Sequence, residues 1–301
     1  MDNFIVVVTY LLIGMGLRKT PAFPQETGNV LNLFVIYVSL PALILLNIPN
    51  LVISNDLIIL AVMPWGMLLF SCASILLLSK LFAWDRATTG CLLLLIPLGN
   101  TSFLGIPMVE AFFGVEAIPY AVLYDQLGSF LALAIYGSLI IALYSAEEKQ
   151  PSIGSVIKKI LSFPPFIALM VAFLLKPLLT YPPLAINILE VLAATLVPVV
   201  MIAVGFQLTL RLNTTVLSQL SIGLTFKLIL APVVALVSCK FIGLEGDIVN
   251  VSIFEAGMPP MISAGALAIL ANLSPILAAA LVGLGIMLSF VTLPLLYQLI
   301  T

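Results

Sequence analysis

The sequence predicts an all-α polytopic membrane protein of ten transmembrane helices, built as two inverted five-helix repeats with broken, crossing helices 4 and 9. Three observations predict it. The 301 residues are 62% hydrophobic and only 8% charged, where a soluble domain carries about 45–50% apolar and about 25% charged residues. Charged or Pro/Gly/Asn-rich breaks cut the chain into ten apolar segments. Landmarks in the first half recur in the second at a nearly constant offset.

The same composition excludes other classes. Net charge is −2, from 11 basic and 13 acidic residues, too balanced for a nucleic acid or other polyanion. Histidine is absent, which removes the commonest metal ligand and the usual proton shuttle. No Gly-x-Ser-x-Gly run, paired catalytic Asp signature or metal-ligand spacing is present, so the sequence does not read as an enzyme. Cys72, Cys91 and Cys239 lie in apolar stretches without a pairwise motif and read as small core residues.

The expected spans are 3–20, 27–48, 55–82, 86–113, 117–144, 160–180, 183–209, 214–240, 247–272 and 275–299. The first is kept as a helix because no basic residue precedes it and no small-residue cleavage site follows. Residues 145–159, SAEEKQPSIGSVIKK, read as a cytoplasmic linker between a first repeat, 1–144, and a second, 160–301. Loops on one side hold Arg18, Lys19, Lys80, Arg86, Lys149, Lys158, Lys159 and Arg211, and loops on the other hold Lys176 and Lys240. That bias makes the first side cytoplasmic and leaves both termini outside the plasma (inner) membrane.

Ser39-Leu40-Pro41 matches Leu196-Val197-Pro198, Lys80 to Asp85 matches Lys240 to Glu245, and Gly99 matches Gly257, at offsets of 157 to 160 residues. An odd number of spans per repeat forces the second unit to insert upside down. Inverted repeats characterise secondary transporters, whose sites lie where broken helices meet near the midplane.

Helix 4 carries Pro97-Leu98-Gly99-Asn100-Thr101-Ser102 at its centre, and helix 9 carries Glu255-Ala256-Gly257-Met258-Pro259-Pro260-Met261. Proline removes a donor and clashes with the preceding turn, while glycine and short polar residues favour caps. Pro260 is suited to open the second half-helix. Unpaired N–H groups at one side of a break attract an anion, and unpaired C=O groups at the other attract a cation. Gly99, Asn100, Thr101, Ser102, Gly257, Met258, Pro259, Pro260 and Met261 are therefore the candidate substrate site; two proline kinks that only shape packing are the alternative.

Gly-Asn-Thr-Ser-Phe-Leu-Gly-Ile-Pro (99–107), Tyr-Asp-Gln-Leu-Gly-Ser (124–129), Val-Ser-Leu-Pro-Ala-Leu (38–43) and Gly-Met-Pro-Pro (257–260) resemble the auxin efflux carrier family along essentially the whole chain. The resemblance implies a scaffold from helices 1, 2, 6 and 7, where a homodimer would form. It implies a transport domain from helices 3–5 and 8–10, and carriage of a small organic anion, auxin-like or malate-like. The chain departs from the plant carriers in having Asn100-Thr101-Ser102 for an Asn-Pro-Asn crossover and a short linker, a compact form that resembles prokaryotic members. Glu255-Ala-Gly-Met-Pro259 is also similar to the Glu-x-Gly-Met-Gln pattern of bile acid:sodium symporters, with Pro259 in place of the Gln. There the Glu binds sodium.

Ionisable groups deep in a span are costly and point to function. Asp125, Lys227 and Glu255 are the deep ones, whereas Glu110 and Glu190 lie nearer helix ends. Glu255 and Asp125, with Asn100 and Ser129, are expected to hold a proton or sodium ion beside the crossover. Lys227 either pairs with a carboxylate or balances the anion; a purely structural Lys227–carboxylate pair is the alternative. Asn32, Asn47 and Gln207 are candidates to line the substrate path from the scaffold side, with helix–helix hydrogen bonding an equally good account. No other cofactor is implied.

Overall fold

The computed structural model describes residues 2–145, 152–176, 181–208 and 216–301, and among them every regular element is helical. In chain order these are α1 (Asp2–Leu17), α2 (Thr27–Asn50), α3 (Asn55–Leu81), α4 (Arg86–Leu95), α5 (Thr101–Phe113), α6 (Val115–Tyr144) and α7 (Ile153–Leu161), followed by α8 (Pro164–Leu175), α9 (Pro183–Gln207), α10 (Leu217–Ile242), α11 (Asp247–Ala256), α12 (Ile262–Leu270) and α13 (Pro275–Ile300). Six of them, α2, α3, α6, α9, α10 and α13, are long and apolar enough to cross a bilayer, and α7 with α8 forms a bent seventh candidate. Helices α1, α4 and α5 are shorter and apolar. The protein is thus a multi-pass membrane protein.

Local chemistry explains the boundaries. The Asp85 carboxylate caps α4 by accepting the Thr88 N–H at 2.6 Å, which satisfies one of the donors a helix start leaves open. Helix α8 begins at Pro164, and Phe163 before it is extended, at φ −78° and ψ 116°, as a residue preceding proline prefers. The stretch read as a linker ends differently from expectation. Residues Ile153–Leu161 form a helix, because Ile153, Val156, Ile157, Ile160 and Leu161 recur at helical spacing. Lys149 and Arg211 lie outside the described residues.

Several spans widen locally into π turns, at Val35–Ser39, Thr101–Gly105, Asp125–Phe130, Leu133–Gly137 and Phe226–Leu230. The first, second and last run up to Pro41, Pro107 and Pro232, whose rings displace the carbonyl one turn back and remove a donor. The other two contain Gly128 and Gly137. Such turns cluster at functional sites in helical proteins.

Contacts group the chain into two units that interleave in sequence: Met1–Ser54, Ser102–Val122 and Lys158–Leu208 in the first, Asn55–Thr101, Leu123–Ile157 and Thr209–Thr301 in the second. In the first unit α1 lies directly on the second half of α9. A Cβ on Gly14 would fall 2.1 Å from the Ile202 carbonyl oxygen, and one on Gly205 would fall 2.0 Å from that of Leu11. Small residues that let backbones touch are how membrane helices associate without a hydrophobic driving force. Ser39 and Thr195 share a hydroxyl hydrogen bond of 2.7 Å between α2 and α9. In the second unit the α4 run Cys91 to Leu95 is fully buried, against Leu277 and Leu281 of α13 and Ala264 and Ala268 of α12.

Candidate functional site

Both expected breaks lie in the second unit, and they meet. Helix α4 stops at Leu95 and α5 starts at Thr101, while α11 stops at Ala256 and α12 starts at Ile262. The segments between them form an isolated antiparallel bridge, Gly99 opposite Pro260. The Asn100 N–H donates to the Pro259 carbonyl at 2.8 Å, and the Met261 N–H donates to the Leu98 carbonyl at 3.0 Å. Each interruption thereby satisfies one backbone donor and one backbone acceptor of the other, as burial of backbone polar groups requires.

Pro260 does not open the second half-helix as its ring suggested. It sits in the bridge, and α12 begins two residues later with Met261 as its N-cap. Neither Pro259 nor Pro260 has an N–H, so Met261 is the first residue able to donate across the crossing. Close packing holds the bridge: a Cβ on Gly285 of α13 would lie 2.7 Å from Pro260 Cδ, and one on Gly257 would lie 2.6 Å from Leu296 Cδ2. Proline's cost in α4 is met locally too. The helical partner of the Leu93 carbonyl would be Pro97, which has no donor, and the Tyr136 hydroxyl of α6 donates to it instead at 2.7 Å.

Three buried charged residues surround this crossing. Asp125 opens the π turn of α6 and is 1% exposed. Its Oδ1 accepts the Thr101 hydroxyl at 2.6 Å, and its Oδ2 accepts the Gln126 Nε2 at 2.7 Å. Each carboxylate oxygen thus has a donor, and the bond to Thr101 ties α6 to the first residue of α5. Lys227, on the π turn of α10, is also buried. Its Nζ lies 3.3 Å from where a Gly99 Cβ would stand, so glycine there leaves room for the ammonium.

Glu255 occupies the penultimate position of α11 and is 1% exposed. Neither of its carboxylate oxygens has a hydrogen-bond partner among the described residues, although Asp125 and Lys227 are both close enough to act on it electrostatically. A buried polar group without a partner costs free energy unless it is neutral or takes up a ligand. Glu255 borders a cavity of about 20 Å³ together with Gly99, Thr101, Tyr124, Ser129 and Lys227. That volume suits one water-sized species and is too small for an organic anion.

The structure therefore assembles Gly99, Thr101, Ser129, Lys227 and Glu255 around one cavity, with Asp125 bonded to its wall. Asn100 does not line it; its backbone serves the bridge, and its Nδ2 has no partner among the described residues. Met258 is fully buried. Ser102 is half-buried and groups with the first unit. There too Gln207 accepts from Asn32 Nδ2 at 3.2 Å and donates to Asn29 at 3.0 Å, while Asn47 bonds back to the Leu43 carbonyl. Glu110 is half-buried and Glu190 exposed. Among the described residues no cluster of His, Cys, Asp and Glu could hold a metal ion.

Sequence reasoning missed Gln126, which fixes Asp125, and Tyr124 and Ser71, which line the cavity. Gln126 and Tyr124 flank Asp125 in the run already noted, so adjacency to a deep carboxylate was the available signal.

A family profile described as membrane transport protein matches residues 1–297. An uncharacterised transporter of Methanothermobacter thermautotrophicus is 25% identical over 296 residues, covering 98% of this chain and 96% of its own. A second uncharacterised transporter, from Methanocaldococcus jannaschii, is 26% identical over 269 residues, covering 86% and 85%. The chain belongs to the membrane transport protein family, the auxin efflux carrier family that its motifs resemble.

Proposed function

We propose that this family member is a secondary active transporter that moves a small organic anion across the cell membrane by alternating access, coupled to an ion gradient. The observation that carries the reading is the crossing of two broken helices beside a buried carboxylate with no hydrogen-bond partner among the described residues. Paired broken helices are what secondary transporters use to build a midplane site from backbone ends. On this reading the ten expected spans form two inverted repeats, with the unit containing α1, α2, α8 and α9 as scaffold and the unit containing α3, α4, α6 and α10–α13 as transport domain. The segment Ser102–Val122, expected to travel with the latter, groups with the former.

The anion's carboxylate would sit at the half-helix starts around Thr101-Ser102 and Pro260-Met261, held by N–H groups of the first turns of α5 and α12, since Pro260 has no N–H and that of Met261 is taken by the Leu98 carbonyl. Coupling would run through Glu255. Asp125 and Lys227 offset one another in charge, so an ionised Glu255 leaves one negative charge uncompensated and a protonated Glu255 leaves none. A sodium ion is the less favoured coupling species, because Lys227 already brings a cation to a cavity of about 20 Å³ and would repel a second.

Uptake of a panel of mono- and dicarboxylates into proteoliposomes, under imposed pH and sodium gradients, tests this directly. Saturable uptake of a carboxylate driven by a pH gradient is expected, and Glu255→Gln should abolish the drive. Movement of only neutral or cationic solutes would refute the anion assignment. A passive, ohmic current would refute secondary transport.

A further inference from the structure

Helix α7 has no buried residue. On a helical wheel Ile153, Val156, Ile157, Ile160 and Leu161 share one face, while Gly154, Ser155, Lys158 and Lys159 share the other. The apolar face is open: Ile153 is 80%, Ile157 50% and Leu161 63% exposed. After a two-residue break α8 begins, an apolar helix turned by 64° from α7. We propose that α7 lies in the membrane surface, its apolar face at the acyl boundary and Lys158 and Lys159 against anionic phospholipid headgroups.

Two other placements are physically worse. Continuing α8 straight through α7 into the hydrocarbon would bury two ammonium groups, and the 64° turn directs α7 away from that path. Leaving α7 in water would expose a contiguous apolar face. Only the boundary between acyl chains and headgroups serves both faces of a helix that is apolar on one side and basic on the other. Connectivity to an apolar helix fixes α7 near that depth.

Charge complementarity selects the lipid. Residues 152–163, SIGSVIKKILSF, contain two lysines and no acidic residue, and they lie on the Lys/Arg-rich side expected to be cytoplasmic. Each basic residue near an anionic leaflet is worth about fivefold in binding, so the pair should favour an anionic over a neutral surface by about 25-fold.

The test uses the intact chain reconstituted in vesicles whose lipids carry bromine near the acyl carbonyl. Tryptophan is introduced by Ile157→Trp on the apolar face or Ser155→Trp on the polar face, with the parent protein correcting for Trp65 and Trp84. The I157W emission should be quenched and blue-shifted and the S155W emission should not. Adding phosphatidylglycerol to phosphatidylcholine vesicles should deepen the I157W quenching, and Lys158→Gln with Lys159→Gln should remove that dependence. Equal quenching at both positions, or no response to phosphatidylglycerol, would overturn the proposal. So would an I157W signal that turns water-like on dilution to one protein per vesicle, since that would assign the face to a second copy of the chain.

Discussion

Two glycines two residues apart on α1 should respond oppositely to the same methyl group. Alanine raises helix propensity over glycine by about 1 kcal/mol at either site, so packing decides the difference. A Cβ on Gly16 meets nothing within 4 Å, whereas one on Gly14 would stand 2.1 Å from the Ile202 carbonyl oxygen and 2.9 Å from Phe206 N. Backbone atoms cannot rotate away, so Gly14→Ala must push α1 from α9 by roughly 1 Å, a gap that forfeits a quarter to a half of each dispersion contact along the interface. Overpacking of this kind costs about 1–3 kcal/mol. Gly14→Ala should therefore melt roughly 2–6 °C below Gly16→Ala, measured on detergent-purified protein by fluorescence-detected size exclusion after heating. Equal melting, or a more stable Gly14→Ala, would refute the backbone-to-backbone contact.

Asp125→Asn loses at least one charge-assisted bond and turns an amide toward the Gln126 donor, a destabilisation of about 1.5–3 kcal/mol that thermal unfolding should report. Tyr136→Phe leaves the Leu93 carbonyl without its 2.7 Å donor and should cost about 1–3 kcal/mol; an unchanged melting temperature would mean that water substitutes. If one proton accompanies each solute through Glu255, each unit of imposed pH gradient should raise limiting accumulation up to about tenfold, and Glu255→Gln should flatten that slope while substrate binding by calorimetry persists. Lys227→Met should make uptake sodium-sensitive by removing the tethered cation, and sodium indifference in that variant would count against the charge-repulsion account.

How much of this was legible in the sequence depended on whether composition or geometry carried the signal. The breaks were visible because Pro97, Gly99, Pro259 and Pro260 are poor helix formers wherever they fall. The three deep charges stood out because a chain with so few of them cannot hide one in an apolar span. Their partners were harder to read: nothing in the sequence distinguishes Gln126 as donor to Asp125 from a packing amide, and π turns leave no period of their own. Asn100 was grouped with the carboxylates by its polarity, whereas its backbone N–H serves the bridge to Pro259 and its side chain does not line the cavity. Proline likewise misled at position 260, where a ring that often begins a helix serves instead to withhold a donor from the crossing.

That withheld donor gives the crossing a polarity of its own. In the observed pattern the pairing consumes the N–H groups of Asn100 and Met261 and the carbonyls of Leu98 and Pro259, so the polar groups of Gly99 and Pro260 face outward from the rung. Gly99 presents one donor and one acceptor there, and Pro260 presents an acceptor alone. A bridge one rung long thus offers an acceptor-rich edge, unable to recruit a further strand on its proline side. Lys227 stands over the face of that rung, its Nζ 3.3 Å from where a Gly99 Cβ would be.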